Sequence, residues 1–405
     1  MYFCCGDLFS KANSSRKLIG ENILEKKLPF ILIGLFAFCY FFGGSISLEN
    51  QRWFYSVSLS IKEGLTFVLP FIIFTFLFSG LVGLRGLALK FIITLVPSII
   101  LSSFIALQVA YVFGKFVFVK HFALEPVSIS NALEPLWIFE LQPLITSNQA
   151  LLLSLFLGIL LPFISFSLSN SLAKGMTRIA GFILHYIFLP IIPVFVFGFL
   201  LYIDHGGYLK LMVEKYFWMF FTVIVLAYGY ITLLYLIGQG FNIRKTKEAI
   251  LNMLPALMTG FSTMSSAMAM PLTIKATEKN LPHSPTAKAI IPAITNPHLL
   301  GDAISISLFA FTVLIAFGQD FPSLENYIPF CLFLIYYKFG AVGIPGGGII
   351  VLLPVLEQYL GFSSAMTSLM TAIYILFDPF ITSANIYGNG GFAILFTKLF
   401  EGRRK

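Results

Sequence analysis

Long apolar stretches, each about as long as a membrane-spanning helix, recur along most of this chain. A helix needs roughly 20 apolar residues to cross the hydrocarbon core of a bilayer. Only 11% of the residues are charged, whereas a soluble domain carries about 25%. Because a spanning segment must satisfy its own backbone hydrogen bonds, these stretches predict an all-α integral membrane protein rather than a soluble one.

The lengths of the stretches predict eight transmembrane helices and two re-entrant helical hairpins. A cytoplasmic N-terminus is expected at 1–27, and spans 1–6 lie within 28–240, at 28–48, 56–84, 87–114, 149–170, 177–203 and 211–240. The remainder, 241–405, is predicted to contain hairpin 1 at 249–274, span 7 at 286–317, hairpin 2 at 327–360 and span 8 at 362–398.

The positive charge of the chain follows the predicted topology. Most Lys and Arg residues fall on segments that this count places in the cytoplasm together with both termini. That is the positive-inside pattern of a multi-pass protein. The net charge of +8 therefore indicates an inner or plasma membrane protein in contact with lipid, and it does not indicate a nucleic-acid partner.

A polar stripe interrupts the last apolar segment. Asp378, Thr382, Asn385 and Asn389 stand at i, i+4, i+7 and i+11, so they share one face of a helix. A carboxylate at membrane depth costs at least about 2.5–3.5 kcal/mol and needs a partner. Two partners are open at this point: an ammonium group on a substrate, or Lys338 at the start of the glycine tract in hairpin 2.

Three other apolar segments are broken at their centres by Gly, Pro, Ser or Asn, at 260–266, 296–302 and 340–348. Such residues cannot continue a regular helix. The resulting order, hairpin then span, occurs twice and forms an inverted repeat. In transporters, broken helices of this kind enclose the substrate and the coupling ion near mid-membrane, which predicts a site at the repeat interface.

These features resemble the dicarboxylate/amino acid:cation symporter family, which includes the glutamate transporters. Four regions match in order: the Phe-Ser-Thr-Met-Ser-Ser run at 261–266, residues 292–301, the Gly-Ile-Pro-Gly-Gly-Gly run at 343–348, and residues 378–389. They are similar to the family's first hairpin tip, unwound span 7, second hairpin tip and substrate helix. The resemblance implies a homotrimer that moves a transport core, including spans 3 and 6, against a scaffold in the elevator manner.

The resemblance also implies roles for individual residues. The implied substrate-binding residues are Ser265, Ser266, Gly346, Asp378, Thr382 and Asn385, with Asp378 holding the substrate ammonium. The implied cation-coupling residues are His298, Gly301, Asn385 and Asn389, with sodium at Asn385 and Asn389. The implied gate consists of Ile344, Pro345, Gly346, Gly347 and Gly348.

Departures from the family pattern alter the expected substrate. Members that take acidic substrates carry an arginine at a position that is Ile381 or Met264 here. Neither side chain can donate a hydrogen bond, and burying an unpaired carboxylate is costly. The sequence therefore predicts a cation-coupled secondary active symporter for an amino acid or a dicarboxylate, and it favours a neutral amino acid.

Departures from the pattern also affect ion coupling. Two of the family's carboxylates are replaced by Leu300 and Asn389, which should weaken sodium binding. Asp302 is expected to point away from the lost position, and His298 could titrate near neutral pH. The coupling ion is accordingly left as sodium or proton, and no other cofactor is expected.

Other functions stay open on the sequence. The same scaffold could form an anion- or ion-conducting channel, a glutamate/aspartate symporter with an altered site, or a homologue that does not transport. The sequence contains no nucleophile elbow, no His-Glu-x-x-His motif and no Walker A motif. It therefore predicts no catalytic residues and no enzyme activity.

Overall fold

The computed structural model describes residues 23–84, 89–118, 133–282, 284, 286–339 and 347–402. Every long regular element in those ranges is an α-helix. The N-terminal helices are α1 Ile23–Phe42, α2 Leu48–Leu84, α3 Leu89–Phe113, α4 Ser147–Ile164, α5 Phe166–Phe182 and α6 Leu189–His205. The C-terminal helices are α7 Tyr208–Gly238, α8 Ile243–Thr263, α9 Ser266–Asn280, α10 Ala287–Ile294, α11 Leu300–Ala316, α12 Leu324–Lys338, α13 Gly347–Leu360 and α14 Ser364–Gly402.

The segment around α4 and α5 differs from the expected spans 4 and 5. The chain turns at Ser165, whose extended backbone and hydroxyl cap the start of α5. Residues 171–176, expected to connect two spans, lie inside α5 instead. This helix buries Ser169, Ala173 and Ala180 and packs against α2, so tertiary contacts hold a polar sequence in helical form.

Helices α8 and α9 form a helical hairpin in the region predicted for hairpin 1. Asn252 donates from its side chain to the Asn280 amide oxygen at 2.8 Å, and Asn280 donates to the Ala249 carbonyl at 3.0 Å. These bonds join the start of α8 to the end of α9, so the two helices are antiparallel. The arms have 21 and 15 residues, so the two helices extend beyond both ends of the 249–274 predicted for this hairpin.

The turn of this hairpin depends on Met264. This residue has a φ of 49° in the left-handed region, which non-glycine residues rarely occupy. Its side chain is nevertheless buried, so packing holds the turn in place. Ser265 follows with an extended backbone and caps α9, its hydroxyl accepting from the Met268 N–H at 3.3 Å.

Helix α14 forms the centre of the C-terminal half. It packs against α7, α8, α9, α10, α11 and α13. In its most apolar window 83% of the residues are buried, against 50% for α2, 28% for α3 and 22% for α7. The helix runs unbroken through Pro379 for 39 residues, and its interior position explains how it can carry so many polar side chains.

Several helices have the length and composition of membrane spans. Four qualify in the described residues, at Leu48–Val82, Phe91–Val117, Phe220–Gly238 and Leu369–Glu401. A fifth is the pair Phe166–Phe188 and Pro190–His205, bent by 51°. Large apolar side chains such as Leu152, Phe156 and Phe163 are exposed on α4, as expected for a surface that faces lipid or another protein. The protein therefore has the character of a multi-pass membrane protein.

Candidate functional site

The predicted stripe on α14 is one continuous buried face. Asp378, Thr382, Asn385 and Asn389 are all at most 6% exposed. The Thr382 hydroxyl donates to Asp378 Oδ1 at 2.7 Å. The stripe extends one turn further than the sequence suggested, because Tyr374 stands four residues before Asp378 and is also buried.

The first hairpin lies against the middle of the stripe. A Cβ at Gly260, near the end of α8, would stand 3.7 Å from Thr382 Cγ2, and the Phe261 ring lies 5.0 Å from that of Phe380. Ser265 and Ser266 follow at the turn and are both buried. The structure thus brings the last turns of α8, which lead into the serine-containing turn, beside Thr382 and Phe380.

Helix α13 begins at the Tyr374 end of the stripe, where a Cβ at Gly348 would meet the Tyr374 hydroxyl. A Cβ at Gly348, near the start of α13, would stand 3.4 Å from Asp302 Oδ2. Gly347 is the first residue of α13. Ile344, Pro345 and Gly346 lie outside the described residues, so their predicted part in substrate binding and gating stays a prediction.

The segment between α10 and α11 is non-helical over 295–299, whereas the break predicted at 296–302 extends too far, because Leu300, Gly301 and Asp302 already form the first turn of α11. It brings α11 close to α14: a Cβ at Gly301 would stand 2.5 Å from the Ile381 carbonyl oxygen. The Asp302 N–H donates to Asn385 Oδ1 at 3.0 Å. Gly301 therefore permits the close approach that allows the α14 stripe to bond with the first turn of α11.

His298 joins three elements through a neutral hydrogen-bonded chain. Its Nδ1 lies 3.1 Å from Asn389 Oδ1, and because an amide oxygen only accepts, Nδ1 is the donor. Its Nε2 lies 3.0 Å from the Ser102 hydroxyl on α3. The ring is fully buried and lies against Phe392, with ring centres 4.1 Å apart. Ser102 was not among the predicted residues.

Asp302, in the first turn of α11, and Lys338, at the end of α12, form a second cluster, which is charged. The Tyr374 hydroxyl donates to Asp302 Oδ1 at 2.7 Å. Lys338, fully buried at the end of α12, donates from Nζ to the Leu299 carbonyl at 2.8 Å and interacts electrostatically with Asp302. Lys338 therefore interacts with Asp302 as well as with the Leu299 carbonyl, while the substrate ammonium stays the predicted partner of Asp378.

Leu300 fills the position where the sequence analysis found a family carboxylate missing. Its side chain is fully buried and faces α14, where a Cβ at Gly388 would stand 3.1 Å from Leu300 Cβ. An apolar contact thus stands at the position for which the resemblance implies a carboxylate. Among the described residues, no group of three or more His, Cys, Asp or Glu side chains is arranged to hold a metal ion.

Residues 28–399 match the sodium:dicarboxylate symporter family, over a range that includes the whole stripe and both hairpins. The chain belongs to this family. The resemblance that the broken segments suggested is thus confirmed, and the protein is a membrane symporter by family rather than an enzyme.

A curated relative is similar over a shorter stretch. It is the putative sodium-dependent excitatory amino acid transporter glt-4 of Caenorhabditis elegans, 28% identical over 138 residues. The aligned part covers 34% of this chain and 27% of the relative. The chain thus matches about a quarter of that protein's length. The transport activity in the relative's name is a property of that protein.

Proposed function

We propose that this protein is a sodium-coupled secondary symporter of a neutral amino acid. The observation that carries the proposal is the charge around the α14 stripe. Asp378 is buried there and interacts electrostatically with Tyr374, while the charge of the nearby Asp302 is already balanced by Lys338. Such a site suits a substrate that brings an ammonium group, and it disfavours one that adds a carboxylate side chain.

The absence of side-chain donors at two positions supports the same substrate class. Ile381 and Met264 are buried at 2% and 1% exposure, and neither can bond a carboxylate. Lys338 is the basic side chain nearest to this region that the described contacts reveal, and it already interacts with Leu299 and Asp302. An acidic side chain would therefore be desolvated without a dedicated partner, which costs several kcal/mol.

In this proposal, the residues on the stripe and those on the hairpin turn bind different groups of the substrate. Asp378 binds the ammonium group, while Thr382 and Asn385 bind polar atoms near it. Ser265 and Ser266 bind the α-carboxylate together with backbone N–H groups of the second hairpin at Gly346, because helix N-termini favour anions. Residues 344–348 form the gate.

Sodium is the coupling ion that the family match favours. Asn385 and Asn389 supply amide oxygens, Gly301 admits the backbone close to them, and His298 holds Asn389 in position. Nε2 of His298 lies within hydrogen-bond distance of Ser102, and Nδ1 lies within hydrogen-bond distance of Asn389. These contacts support a role for His298 in positioning Asn389. Proton coupling is the alternative that the experiment below distinguishes.

The transport cycle that we propose follows the elevator scheme. Helices α8–α14 with α3 and α7 form the moving core of each subunit of a homotrimer, and α1, α2 and α4–α6 form its scaffold. The contacts support this division, because α3 and α7 pack on α11 while α2 packs on α4, α5 and α6. Eight spans, re-entrant hairpins, an inner or plasma membrane location and cytoplasmic termini belong to the same proposal.

Uptake into proteoliposomes tests the substrate and the role of Asp378. We expect saturable uptake of a neutral amino acid, which neutral competitors inhibit more strongly than glutamate or aspartate. Asp378→Asn should reduce it by at least about tenfold, since a hydrogen bond to a charged group contributes about 1.5–3 kcal/mol. Asp320→Asn is the matched control, because it makes the same change at an exposed position.

Other outcomes would contradict particular parts of the proposal. Linear flux that ignores Asp378→Asn would indicate a channel. Stronger competition by glutamate or aspartate would show that the substrate is acidic. Uptake driven by a pH gradient without sodium would replace sodium by protons, whereas uptake that needs a sodium gradient would support the proposal.

A further inference from the structure

The Lys338 ammonium lies where the fold offers a site for a free cation. It lies at the C-terminal end of α12, where the helix dipole favours positive charge. Its bonded oxygen is the Leu299 carbonyl at 2.8 Å, in the non-helical segment between α10 and α11. Carbonyls of unwound segments and half-helix C-termini are the groups that coordinate sodium in transporters.

The counter-charge at this site is also in place. Asp302 is buried at 1% exposure in the first turn of α11 and interacts electrostatically with Lys338. Its Oδ1 accepts from Tyr374 at 2.7 Å, and its Oδ2 faces Gly348 at the start of α13. The ammonium thus bonds one carbonyl oxygen directly, and a buried carboxylate interacts with it electrostatically. Hard cations prefer oxygen ligands of these two kinds.

We propose that Lys338 is a tethered cation that takes the place of an alkali ion at the Leu299 carbonyl and the end of α12, with Asp302 as the counter-charge. This inference rests on the proposed sodium-coupled function. It means that the protein supplies one of the positive charges at its core covalently. Removing the ammonium should leave an oxygen-lined, negatively charged site that a sodium ion can enter.

Thermal unfolding of the full-length protein in detergent, without substrate, tests this proposal. Sodium chloride is titrated against choline chloride at constant ionic strength for the native protein and Lys338→Met. A ligand that binds the folded state raises Tm in a saturable way. We expect Lys338→Met to respond at a half-saturating sodium concentration about tenfold or more below that of the native protein, a difference of about 1.4 kcal/mol.

A double variant shows whether the new sodium ion binds at this site. Lys338→Met combined with Asp302→Asn removes both charges, and it should lose the gained response. Lys338→Gln serves if Lys338→Met does not fold, because its amide can still donate to Leu299 without carrying a charge. A sodium response in either single variant equal to that of the native protein would overturn the proposal, as would a response that persists in the double variant.

The readout separates this inference from the proposed function. Sodium binding is measured without substrate or transport, so it can be scored in a protein that takes up no neutral amino acid. Conversely, neutral amino acid uptake by the native protein together with an unchanged sodium response in Lys338→Met would reject the tethered cation and leave the proposed function standing.

Discussion

The two ends of the α14 stripe hold α11 in chemically different ways. At one end, Asn389 bonds the neutral chain of His298 and Ser102. At the other, Tyr374 bonds Asp302, whose charge faces that of Lys338. Substituting a residue of the neutral chain removes only hydrogen bonds. Substituting one member of a buried charge pair leaves the other charge buried without its counter-charge, which costs more. The charged end is therefore the more sensitive of the two.

Asp302→Asn provides the strongest test of this difference. The amide keeps an oxygen for the Tyr374 hydroxyl but removes the charge that faces Lys338, leaving a buried ammonium uncompensated. Breaking one side of a buried pair costs about 3–5 kcal/mol, so we expect a loss of that size. The free energy of unfolding, measured by denaturant titration in a sodium-free buffer, checks it.

The matched control for Asp302→Asn is the double variant with Lys338→Met, which removes both charges together. It should recover most of the lost stability, because replacing a buried pair by neutral groups is often close to neutral in energy. Equal stability of the single and double variants would show that the two charges do not depend on each other.

The sequence predicts the helical class, the stripe and the broken segments because each depends on residues close together in the chain. Asp378, Thr382, Asn385 and Asn389 are spaced by helical geometry, and the adjacent Asn296 and Pro297 disfavour a continuous helix through local backbone restrictions. The partners of the stripe are a different matter. Ser102 and His298 are 196 residues apart, and only the packing of α3 on α11 brings them together.

Some of the missed features nevertheless carried a local signal. Tyr374 lies one helical turn before Asp378 and could have been added to the stripe on spacing alone. The polar pair Ser102 and Ser103 interrupts an otherwise apolar span. By contrast, the partner of Lys338 is a backbone carbonyl, Leu299, and backbone conformation at an unwound segment is set by tertiary packing rather than by the side chain at that position.

His298→Phe tests the neutral end. Phenylalanine preserves most of the ring volume beside Phe392 but removes both ring nitrogens, so Asn389 and Ser102 lose their partner. An unsatisfied buried polar group costs about 1–3 kcal/mol, so the free energy of unfolding should fall by about that amount, less than for Asp302→Asn. Thermal and denaturant unfolding of the two variants in parallel provide the ranking.

A further substitution distinguishes lost hydrogen bonds from poor packing at this end. Asn389→Leu added to His298→Phe removes the stranded amide and should restore part of the stability, since replacing both partners by apolar groups can be nearly neutral. If His298→Phe costs as much as Asp302→Asn and this second change restores nothing, the proposed contrast between the two ends is wrong.

Lys62 extends the comparison to a buried lysine whose partner carboxylate is exposed to solvent. It lies on α2, donates to the Thr367 hydroxyl at 3.1 Å and stands 3.9 Å from Glu357 Oε1, whose side chain is 45% exposed. Because water can solvate that carboxylate when the lysine is removed, Lys62→Met should leave no buried charge without a partner. We expect a loss of only about 0.5–1.5 kcal/mol, the contribution of one ordinary hydrogen bond.

The same unfolding measurement checks Lys62→Met, and Lys174→Met on α5 is its control, because that lysine is exposed and an exposed side chain has little effect on stability. A loss of 3 kcal/mol or more, on the order of that expected for a buried pair, would mean that burial of the partner carboxylate does not decide the cost. In that case the loss of unfolding free energy in Asp302→Asn would have to come from the packing around Asp302 rather than from the removal of its charge.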